Sequence, residues 1–419
     1  MREASFKPLS PWIGGPKQAT FSAYNLKITQ FSSDRQVWLS MKSETASVLK
    51  EARSATLLKE THIVGNTTLI RVGHRMVEKI AQLLEGQADG CIGFVLHHSY
   101  TEARTYTSRF EAGFASNFNV PLINNKKTTE AMIQFVNATR MVSFVTLLEN
   151  DFKNRFYLST HGFEASDWLE AQWNDITSER NDIFIEPYLH RMYGQHSILA
   201  TISGSRQNDE IIILGAHLDS INIKYRPYQT LAKHDIENMP APGADDNGSG
   251  LAVLTEVLRS IVMAGYKPET TIHLIGFAIE EIGLVGSREI ASAYHKQGRN
   301  VVGMLNFDMV GYKGEDSVDV CISSDKLSNH DQSLFLVSLM NQYLPHLNYR
   351  FFGCKYACSD HASWTENNFP ATMVHECPGI SPHMHRYSDL VKNINANYMS
   401  NFARLGLSYV SELAKGCFR

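Results

Sequence analysis

The feature that most constrains this chain is an alternation, from Ile133 onward, of short apolar runs with longer segments of helical periodicity. The apolar runs, typical of strands buried on both faces, span residues 211–216, 271–279, 301–307, 318–323 and 371–375. The helical segments span residues 251–264, 288–297, 333–343 and 398–415. Because such strands need helices on both faces, the pattern predicts an α/β fold with a mainly parallel central sheet.

The residues before this region follow a different pattern, which predicts a smaller α+β domain over 21–105. Its predicted strands are 37–41, 67–72 and 93–98, and its predicted helices are 47–59 and 75–87. Between about Ser99 and Asn125 the periodicity gives way to Thr, Ser, Asn and Arg. This composition predicts a linker over 106–125 with a processing site, after a tail over 1–20 and before a main domain over 126–419.

Composition excludes several classes of function. The chain has 39 Lys and Arg against 43 Asp and Glu among 419 residues, so its formal net charge is -4. Without a basic excess, a nucleic-acid partner is not expected. No apolar run approaches the ~18 residues that a membrane span needs, so no membrane partner is expected. The start, Met1 to Trp12, has neither pattern of a targeting segment, which taken alone predicts the cytoplasm.

Polar residues follow the predicted strands at the points where the strands end. The residues in these positions are His217 and Asp219 after the first strand, Glu280 and Glu281 after the second, and Asp308 after the third. An acidic segment, 243–250, immediately precedes the helix predicted over 251–264. Because the carboxyl ends of parallel strands meet at one edge of a sheet, these side chains are expected to converge on one site.

The density of carboxylates at this edge indicates a metal centre. Carboxylates in a partly dry cleft repel one another strongly, so a positive charge is required among them. Independent, solvated loop charges are the alternative, which fits any one residue but not a set aligned with the strand ends. Histidine and carboxylate ligands without a thiolate suit Zn(II) or Mn(II) in a catalytic rather than a structural site.

From about Leu148 to Leu413 the chain resembles the bacterial secreted leucyl aminopeptidases, members of the co-catalytic two-zinc aminopeptidase family. The segments that carry the resemblance are 217–220, 242–250, 278–284, 308–309 and 356–364, the last reading YACSDHASW. Residues 36–39 and 90–94 are similar to that family's N-terminal propeptide. The resemblance therefore implies the zinc aminopeptidase fold, made as a zymogen with a propeptide-like domain over 21–105 and a catalytic domain over 126–419.

Matching the family's motifs implies two zinc ions per catalytic domain. The implied ligands are His217 and Asp308 for one zinc, Glu281 and His385 for the other, and Asp246 as the bridge between them. Asp246 is preferred to Asp245 because the family's ligand lies two residues before the Gly or Ala that precedes Ser-Gly. His385 is preferred to His383 because it stands four residues before Asp389, although the run 383–385 offers two candidates.

The same matching implies Glu280 as the general acid/base, Asp219 as the partner of the His217 imidazole and Tyr356 as a transition-state hydrogen-bond donor. A turn residue without catalytic role is the alternative for Asp219. Three carboxylate ligands carry roughly -3 against roughly +4 from two Zn(II), which favours a bridging hydroxide as the nucleophile. One zinc can also bind the substrate's α-amine, so the implied substrates are peptides with a free N-terminus, cut by an exopeptidase.

Substrate preference is implied by the positions that line the family's pocket for the first residue. These positions hold Met309, Ile322, Met373 and Met384. They imply a Leu- or Met-like N-terminal residue, and the alternative is that the methionines only fill the core. His375 stands where an aromatic residue is expected, and 377–382 departs from the family's pattern.

Cys354 and Cys358 have the spacing of a disulfide in the family, so the resemblance implies a disulfide here. A reduced core pair and a thiolate metal site are the alternatives. The disulfide in turn implies secretion or the periplasm, with a signal peptide missing from this sequence. A monomer is expected, with its own propeptide as a partner in cis.

Two other functions remain open from the sequence. A carboxypeptidase or an amidohydrolase on the same two-zinc scaffold would need a basic residue for a substrate carboxylate, and Arg386 is the near candidate. A non-hydrolytic binding or cyclising protein with one zinc is the other, and the intact Glu280-Glu281 pair argues against it.

Overall fold

A computed structural model describes residues 36–51, 60–77, 80, 84, 94–114, 116–225, 231–314, 317–354, 356–377 and 379–418. The predicted tail over 1–20, the end of the helix predicted over 47–59 and residues 90–93 of the propeptide-like segment lie outside the described residues. Of the helix predicted over 75–87, the described residues 77, 80 and 84 are helical.

The N-terminal part of the described chain forms a four-stranded antiparallel sheet. Its strands are β1 Gln36–Lys42, β2 Glu60–Val64, β3 Thr67–Gly73 and β4 Phe94–His97, in the order β2-β3-β1-β4. Helix α1, Ser43–Glu51, follows β1 directly and begins four residues before the predicted start. The predicted strands over 37–41, 67–72 and 93–98 are confirmed, whereas β2 was not predicted.

The predicted linker is partly wrong, because a regular helix, α2, occupies Tyr100–Ala112. Ser99 caps this helix, since its side chain accepts a hydrogen bond from the backbone N–H of Glu102. Ala103, Tyr106 and Phe110 lie on one face of α2 at helical spacing and pack inward. The polar residues between them obscured this periodicity. In the predicted linker, the described residues without helix or strand begin only after Ala112.

The main sheet has eight strands. They are β5 Ile183–Tyr188, β6 Ser197–Ile202, β7 Glu210–His217, β9 Thr271–Phe277, β10 Asn300–Phe307, β11 Val320–Ser323, β12 Tyr349–Phe352 and β13 Ala371–His375. The eight strands lie in the order β12-β11-β13-β10-β7-β9-β6-β5. Two further strands, β8 Tyr266–Lys267 and β14 Cys417–Phe418, form a separate antiparallel pair. The four central strands, β13, β10, β7 and β9, are mutually parallel, and antiparallel pairs occur only towards the edges.

Helices cover both faces of this sheet. In chain order they are α3 Lys126–Ile133, α4 Ala138–Asp151, α5 Thr160–Thr177, α6 Lys233–Asn238, α7 Gly250–Met263, α8 Val285–Lys296, α9 His330–Tyr343, α10 His361–Glu366 and α11 Ala396–Ala414. Leu251 of α7 and Phe402 of α11 belong to the larger core on one face. Tyr294 of α8 and Trp364 of α10 belong to the core on the other.

The predicted α/β class, with a mainly parallel sheet between helices, is confirmed. All five predicted strands of the main domain are present, but β5, β6 and β12 were not predicted. Phe184 on β5, and Tyr349 and Phe351 on β12, are exposed. The edge strands β5 and β12, with their exposed apolar residues, lack the continuous buried run by which the central strands were found. This reason does not apply to β6, which is buried along most of its length.

The connection between β9 and α8 is so tight that it requires a glycine at position 286. A Cβ atom there would lie 2.0 Å from the backbone oxygen of Ala278, far inside van der Waals contact. Val285 also donates its backbone N–H to the oxygen of Ile279, so the helix begins directly on the turn. The loop between, with Glu280 and Glu281, is therefore closed by a backbone contact at its end.

Replacing Gly286 by alanine should lower the free energy of unfolding by about 2 kcal/mol, because backbone must move to admit the methyl group. Urea unfolding followed by tryptophan fluorescence measures the change. Gly73→Ala is the matched control, since the nearest atom to its added Cβ lies 3.9 Å away. Equal stability of the two variants would contradict the steric argument.

Candidate metal centre

The carboxyl ends of the central parallel strands bring the predicted polar residues together. His217 is the last residue of β7, Asp308 follows the last residue of β10, and Glu280 and Glu281 stand in the turn after β9. Asp246 reaches the same edge from the turn Ala244–Ser249 that precedes α7. The predicted convergence on one sheet edge is confirmed by this arrangement.

The Asp246 carboxylate lies between two groups of potential ligands. Its Oδ1 is 3.1 Å from His217 Nε2, which is itself 3.3 Å from Asp308 Oδ1. Its Oδ2 is 3.0 Å from His385 Nε2, which is in turn 3.0 Å from Glu281 Oε2. Each group offers three ligand atoms within 4.8 Å of one another, so two cations could be held with Asp246 shared between them.

The alternative residues point away from this cluster. His383 Nδ1 lies 3.0 Å from the Ser388 hydroxyl, and His383 belongs to none of the ligand groups of the described chain. Asp245 Oδ1 accepts the backbone N–H of Gly311 at 2.8 Å. Asn247, the acceptor residue of a glycosylation sequence, is completely buried.

The chemistry of the site fits divalent zinc. Two imidazoles and several carboxylates, without a thiolate, form the donor set, and the buried Oε1 of Glu281 has no hydrogen-bond partner. Burial raises the pKa of Glu280 well above its ordinary value, and the neighbouring Glu281, Asp360 and Asp308 carboxylates raise it further although His217 opposes them. Burial likewise raises the pKa of Glu281 to about 7. Cations beside these groups would favour their ionised forms at neutral pH.

Two buried carboxylates outside the ligand set hold the turns that present the ligands. Asp219 accepts the backbone N–H groups of Glu280 and Glu281 at 2.9 and 3.1 Å. His217 Nδ1 lies 3.1 Å from the Asp219 backbone oxygen but 3.7 Å from its carboxylate. The Asp219 carboxylate thus makes its close hydrogen bonds to the glutamate turn rather than to the imidazole.

Asp389 supports the opposite side of the cluster in the same way. Its carboxylate accepts the backbone N–H groups of Asp245 and Asp246, both at 3.0 Å. Sequence reasoning used Asp389 only to select His385 and missed this contact. The hydrogen bond joins residues more than a hundred positions apart, and no local pattern in the sequence signals it.

Backbone conformation around the cluster is unusual. Ile279, Leu284, Met309 and His385 all have positive φ angles, between 54° and 61°, although none is glycine. Such conformations cost free energy and persist where surrounding contacts fix them, and they concentrate at functional sites. Ile279 and Met309 lie next to proposed ligands or the proposed proton carrier, His385 is itself a proposed ligand, and Leu284 lines the cleft.

The cluster opens into a cleft whose wall is partly apolar. Met309, Met384 and Tyr356 line it, together with Leu284 and Phe94. Ile322 and Met373 are buried and are not among its lining residues. His375 packs its ring edge-on against Phe352, with centroids 4.0 Å apart.

Two disulfides lie near this region. The first joins Cys354 to Cys358, as the resemblance implied. The second joins Cys321 to Cys377 and was missed, because 56 residues separate the two in sequence. The sheet brings them together, since β11 and β13 are antiparallel neighbours and Cys321 lies opposite His375.

A mainly parallel sheet with a buried imidazole and carboxylate cluster beyond its strand ends is the arrangement of a metallohydrolase. Residues 197–410 match the model of peptidase family M28. The chain belongs to this family.

Relatives and solved structures agree with that assignment. The chain is 36% identical over 310 residues to leucine aminopeptidase 1 of Trichophyton equinum, covering 70% of this chain and 78% of the relative. It is 33% identical over 302 residues to a probable aminopeptidase of Saccharomyces cerevisiae, covering 70% and 77%. The crystal structure of the LapA aminopeptidase of Legionella pneumophila shares the fold, with a TM-score of 0.76, 24% identity and coverage of 91% and 99%.

Among the helices of the described residues, none alone has the length and apolar character to cross a bilayer. The pair α3 and α4 meets both criteria only jointly, across a 57° bend.

Substitution of His385 should separate the two candidate histidines. His385→Ala is expected to lower zinc occupancy sharply, because it removes one of the three donors in the group with Asp246 and Glu281. Elemental analysis of dialysed protein measures the occupancy. The matched control, His383→Ala, should retain the wild-type value, and loss of zinc only in the control would move the ligand by two residues.

Proposed function

We propose that the chain is a zinc-dependent aminopeptidase that uses two zinc ions to release N-terminal, preferably apolar residues from peptides. The observation that carries the proposal is the position of Asp246 between two separate groups of histidine and carboxylate donors. Family membership and the aminopeptidases among its relatives support the same activity.

Five residues would hold the two zinc ions. His217 and Asp308 would bind one, Glu281 and His385 the other, and Asp246 would bridge them. Zinc at these positions lowers the pKa of a coordinated water and polarises the substrate carbonyl. The fixed turns around the ligands would keep the two ions at a constant separation during the reaction.

Glu280 is the residue proposed to move the proton. It lines the cleft beside Glu281, and its backbone is fixed by the Asp219 carboxylate. A carboxylate in this position can take a proton from the attacking water and deliver it to the leaving amine. Tyr356 lines the same cleft and is proposed to donate a hydrogen bond to the developing oxyanion.

Charge in the cleft supports recognition of an amine rather than a carboxylate. No lysine or arginine is among the residues that line it in the described part of the chain, and Arg386 is exposed outside the lining. A substrate with a free carboxylate beside the scissile bond would find no lysine or arginine among these described lining residues to pair with it. The cleft therefore favours an aminopeptidase over the carboxypeptidase alternative.

The apolar part of the cleft supports an apolar first residue. Met309 and Met384 line the cleft beside Leu284 and Ala357, without a charged group among these four. Burying an aliphatic side chain against such a wall contributes about 1.5 to 3 kcal/mol. We propose that Leu- or Met-like residues are preferred, with Ile322 and Met373 acting behind the wall.

Hydrolysis of leucine p-nitroanilide should be readily detected and should require zinc, whereas the N-acetyl derivative should be cleaved at least ~100-fold more slowly. The free amine is needed to position the scissile bond at the metal centre.

Glu280→Gln should lower kcat by ~100-fold or more while two zinc ions remain bound, because proton transfer is lost and ligation is kept.

Faster hydrolysis of the acetylated substrate would favour the amidohydrolase alternative over an aminopeptidase. Loss of zinc in Glu280→Gln would instead exchange the roles of Glu280 and Glu281. Wild-type activity with a single tightly bound zinc would remove the two-metal proposal.

We propose in addition that the region before Gly113 is a propeptide that restrains the enzyme until it is removed. Phe94 of β4 lines the cleft, so the small domain contributes part of its wall. Arg288 of α8 donates a hydrogen bond to the Leu96 oxygen at 2.7 Å. Val95 packs in one cluster with Leu284 and Ala357.

Helix α2 changes where processing would occur. Arg104, Arg109 and Glu111 lie within this helix, and Arg109 donates a hydrogen bond to the Asn368 side chain. Gly113 is exposed directly after it, where an added Cβ would meet no atom within 4 Å. The two disulfides support secretion of the enzyme, since such bonds persist in oxidising compartments.

Cleavage at Gly113, through an inserted site for a sequence-specific protease, should raise activity towards leucine p-nitroanilide and towards a longer peptide. The inserted but uncut protein is the control, and Phe94→Ala should raise the activity of the uncut protein. Kinetics before and after cleavage measure the effect. Cleavage and release of the domain without a rise towards either substrate would remove the inhibitory role.

A further inference from the structure

Arg155 is completely buried, and its guanidinium donates hydrogen bonds to three backbone oxygens. It stands four residues after the end of α4. Its Nε donates to the Leu218 oxygen at 2.7 Å, Nη1 to the Pro242 oxygen at 2.5 Å and Nη2 to the Gly243 oxygen at 2.8 Å. Burying a guanidinium is costly, so its retention here calls for a specific reason.

The three oxygens belong to the two segments that carry the central metal-binding residues. Leu218 directly follows His217, while Pro242 and Gly243 directly precede the turn Ala244–Ser249 with Asp246. One rigid, planar group therefore connects the end of β7 to the start of that turn. Few other side chains could do so, because a lysine presents its donors from a single atom.

The surroundings of Gly243 show how closely this connection is built. Gly243 has a φ angle of 53°, and a Cβ atom on it would lie 2.8 Å from Arg155 Nη2 and 2.4 Å from the backbone oxygen of Asp246. The backbone of Arg155 is fixed as well, since its N–H donates to Ser220 Oγ and its oxygen accepts from Gln195. The Ser220 hydroxyl in turn donates to the Ala241 oxygen.

Charge gives the arginine a second effect on the site. Its guanidinium interacts favourably with the carboxylates of Asp389, Asp246 and Asp219, while burial acts against the charged form. Asp219 and Asp389 are not proposed ligands, so their negative charge adds to that of the ligand set. A fixed cation on the protein side offsets part of this charge without occupying a ligand position.

We propose that Arg155 is a positioning residue that holds His217 and the Asp246 turn in register and thereby sets the affinity of the site for zinc. It touches neither substrate nor proposed ligand atoms and acts through the backbone of the ligand segments. The inference rests on the zinc assignment made under Proposed function. Groups that orient metal ligands in this way typically change metal affinity by 10- to 100-fold.

The test compares zinc affinity in the full-length wild type, Arg155→Met, Arg155→Lys and Arg140→Met. Arg140→Met is the matched control, because Arg140 also donates to a backbone oxygen and to the buried Glu256, but at the other end of α4. Competition against a chelator measures affinity, and the visible absorption of the cobalt-substituted proteins reports ligand geometry. Thermal unfolding identifies any variant that does not fold.

Arg155→Met should bind zinc on the order of 10- to 100-fold more weakly and show an altered cobalt spectrum. Arg155→Lys, which keeps the charge but not the three-way connection, should lie between it and the wild type. The kcat of Arg155→Lys should recover at saturating zinc, and its KM should be unchanged. If Arg155→Met does not fold, the affinity and spectrum of Arg155→Lys decide.

Wild-type affinity and spectrum in a folded Arg155 variant would overturn the proposal. An equal loss of affinity in Arg140→Met would also overturn it, because the effect would then be a general consequence of removing an arginine that bonds to the backbone. A wild-type chain that binds no zinc would overturn the metal assignment itself, which distinguishes the two failures.

Discussion

The main physical constraint on this structure is the repulsion among the carboxylates that the fold gathers at one edge of its sheet. Two like charges about 4 Å apart repel by roughly 4 kcal/mol at an effective dielectric constant near 20. Asp246, Glu280, Glu281 and Asp308 share one cleft with only two imidazoles. Divalent cations would relieve this repulsion, and Asp246 lies where it could be shared between the two donor groups. The proposed hydrolytic chemistry uses the same charge balance that the folded chain needs.

Buried side chains that form hydrogen bonds with the backbone position the proposed ligands. The carboxylates of Asp219 and Asp389 each accept two successive N–H groups, one pair in the glutamate turn and one pair in the Asp246 turn. Arg155 does the converse and donates to three backbone oxygens. The bonds from Asp219 leave little freedom to the glutamate turn, at whose start Ile279 has a positive φ angle.

Access to the site involves a part of the chain far from the ligands in sequence. Phe94 ends the cleft on the side of the small sheet, and Arg288 connects that sheet to α8. Helix α8 begins immediately after the turn with Glu280 and Glu281, and Gly286 allows it to approach Ala278 closely. A movement of the small sheet would therefore act, through α8, on the turn that carries the residues proposed for proton transfer and zinc binding.

The amino-acid sequence by itself determined the strand and helix alternation of the main domain and the set of candidate ligands, because periodicity and short motifs are local properties. His217, Glu281 and Asp308 could be found since each follows a buried apolar strand. Tertiary structure alone decided that the Asp219 carboxylate holds the glutamate turn, that Cys321 pairs with Cys377 and that Arg155 connects two ligand segments. Such contacts join residues 56 to 88 positions apart, and their partners are determined by the sheet order and the packing of loops, which no local pattern encodes.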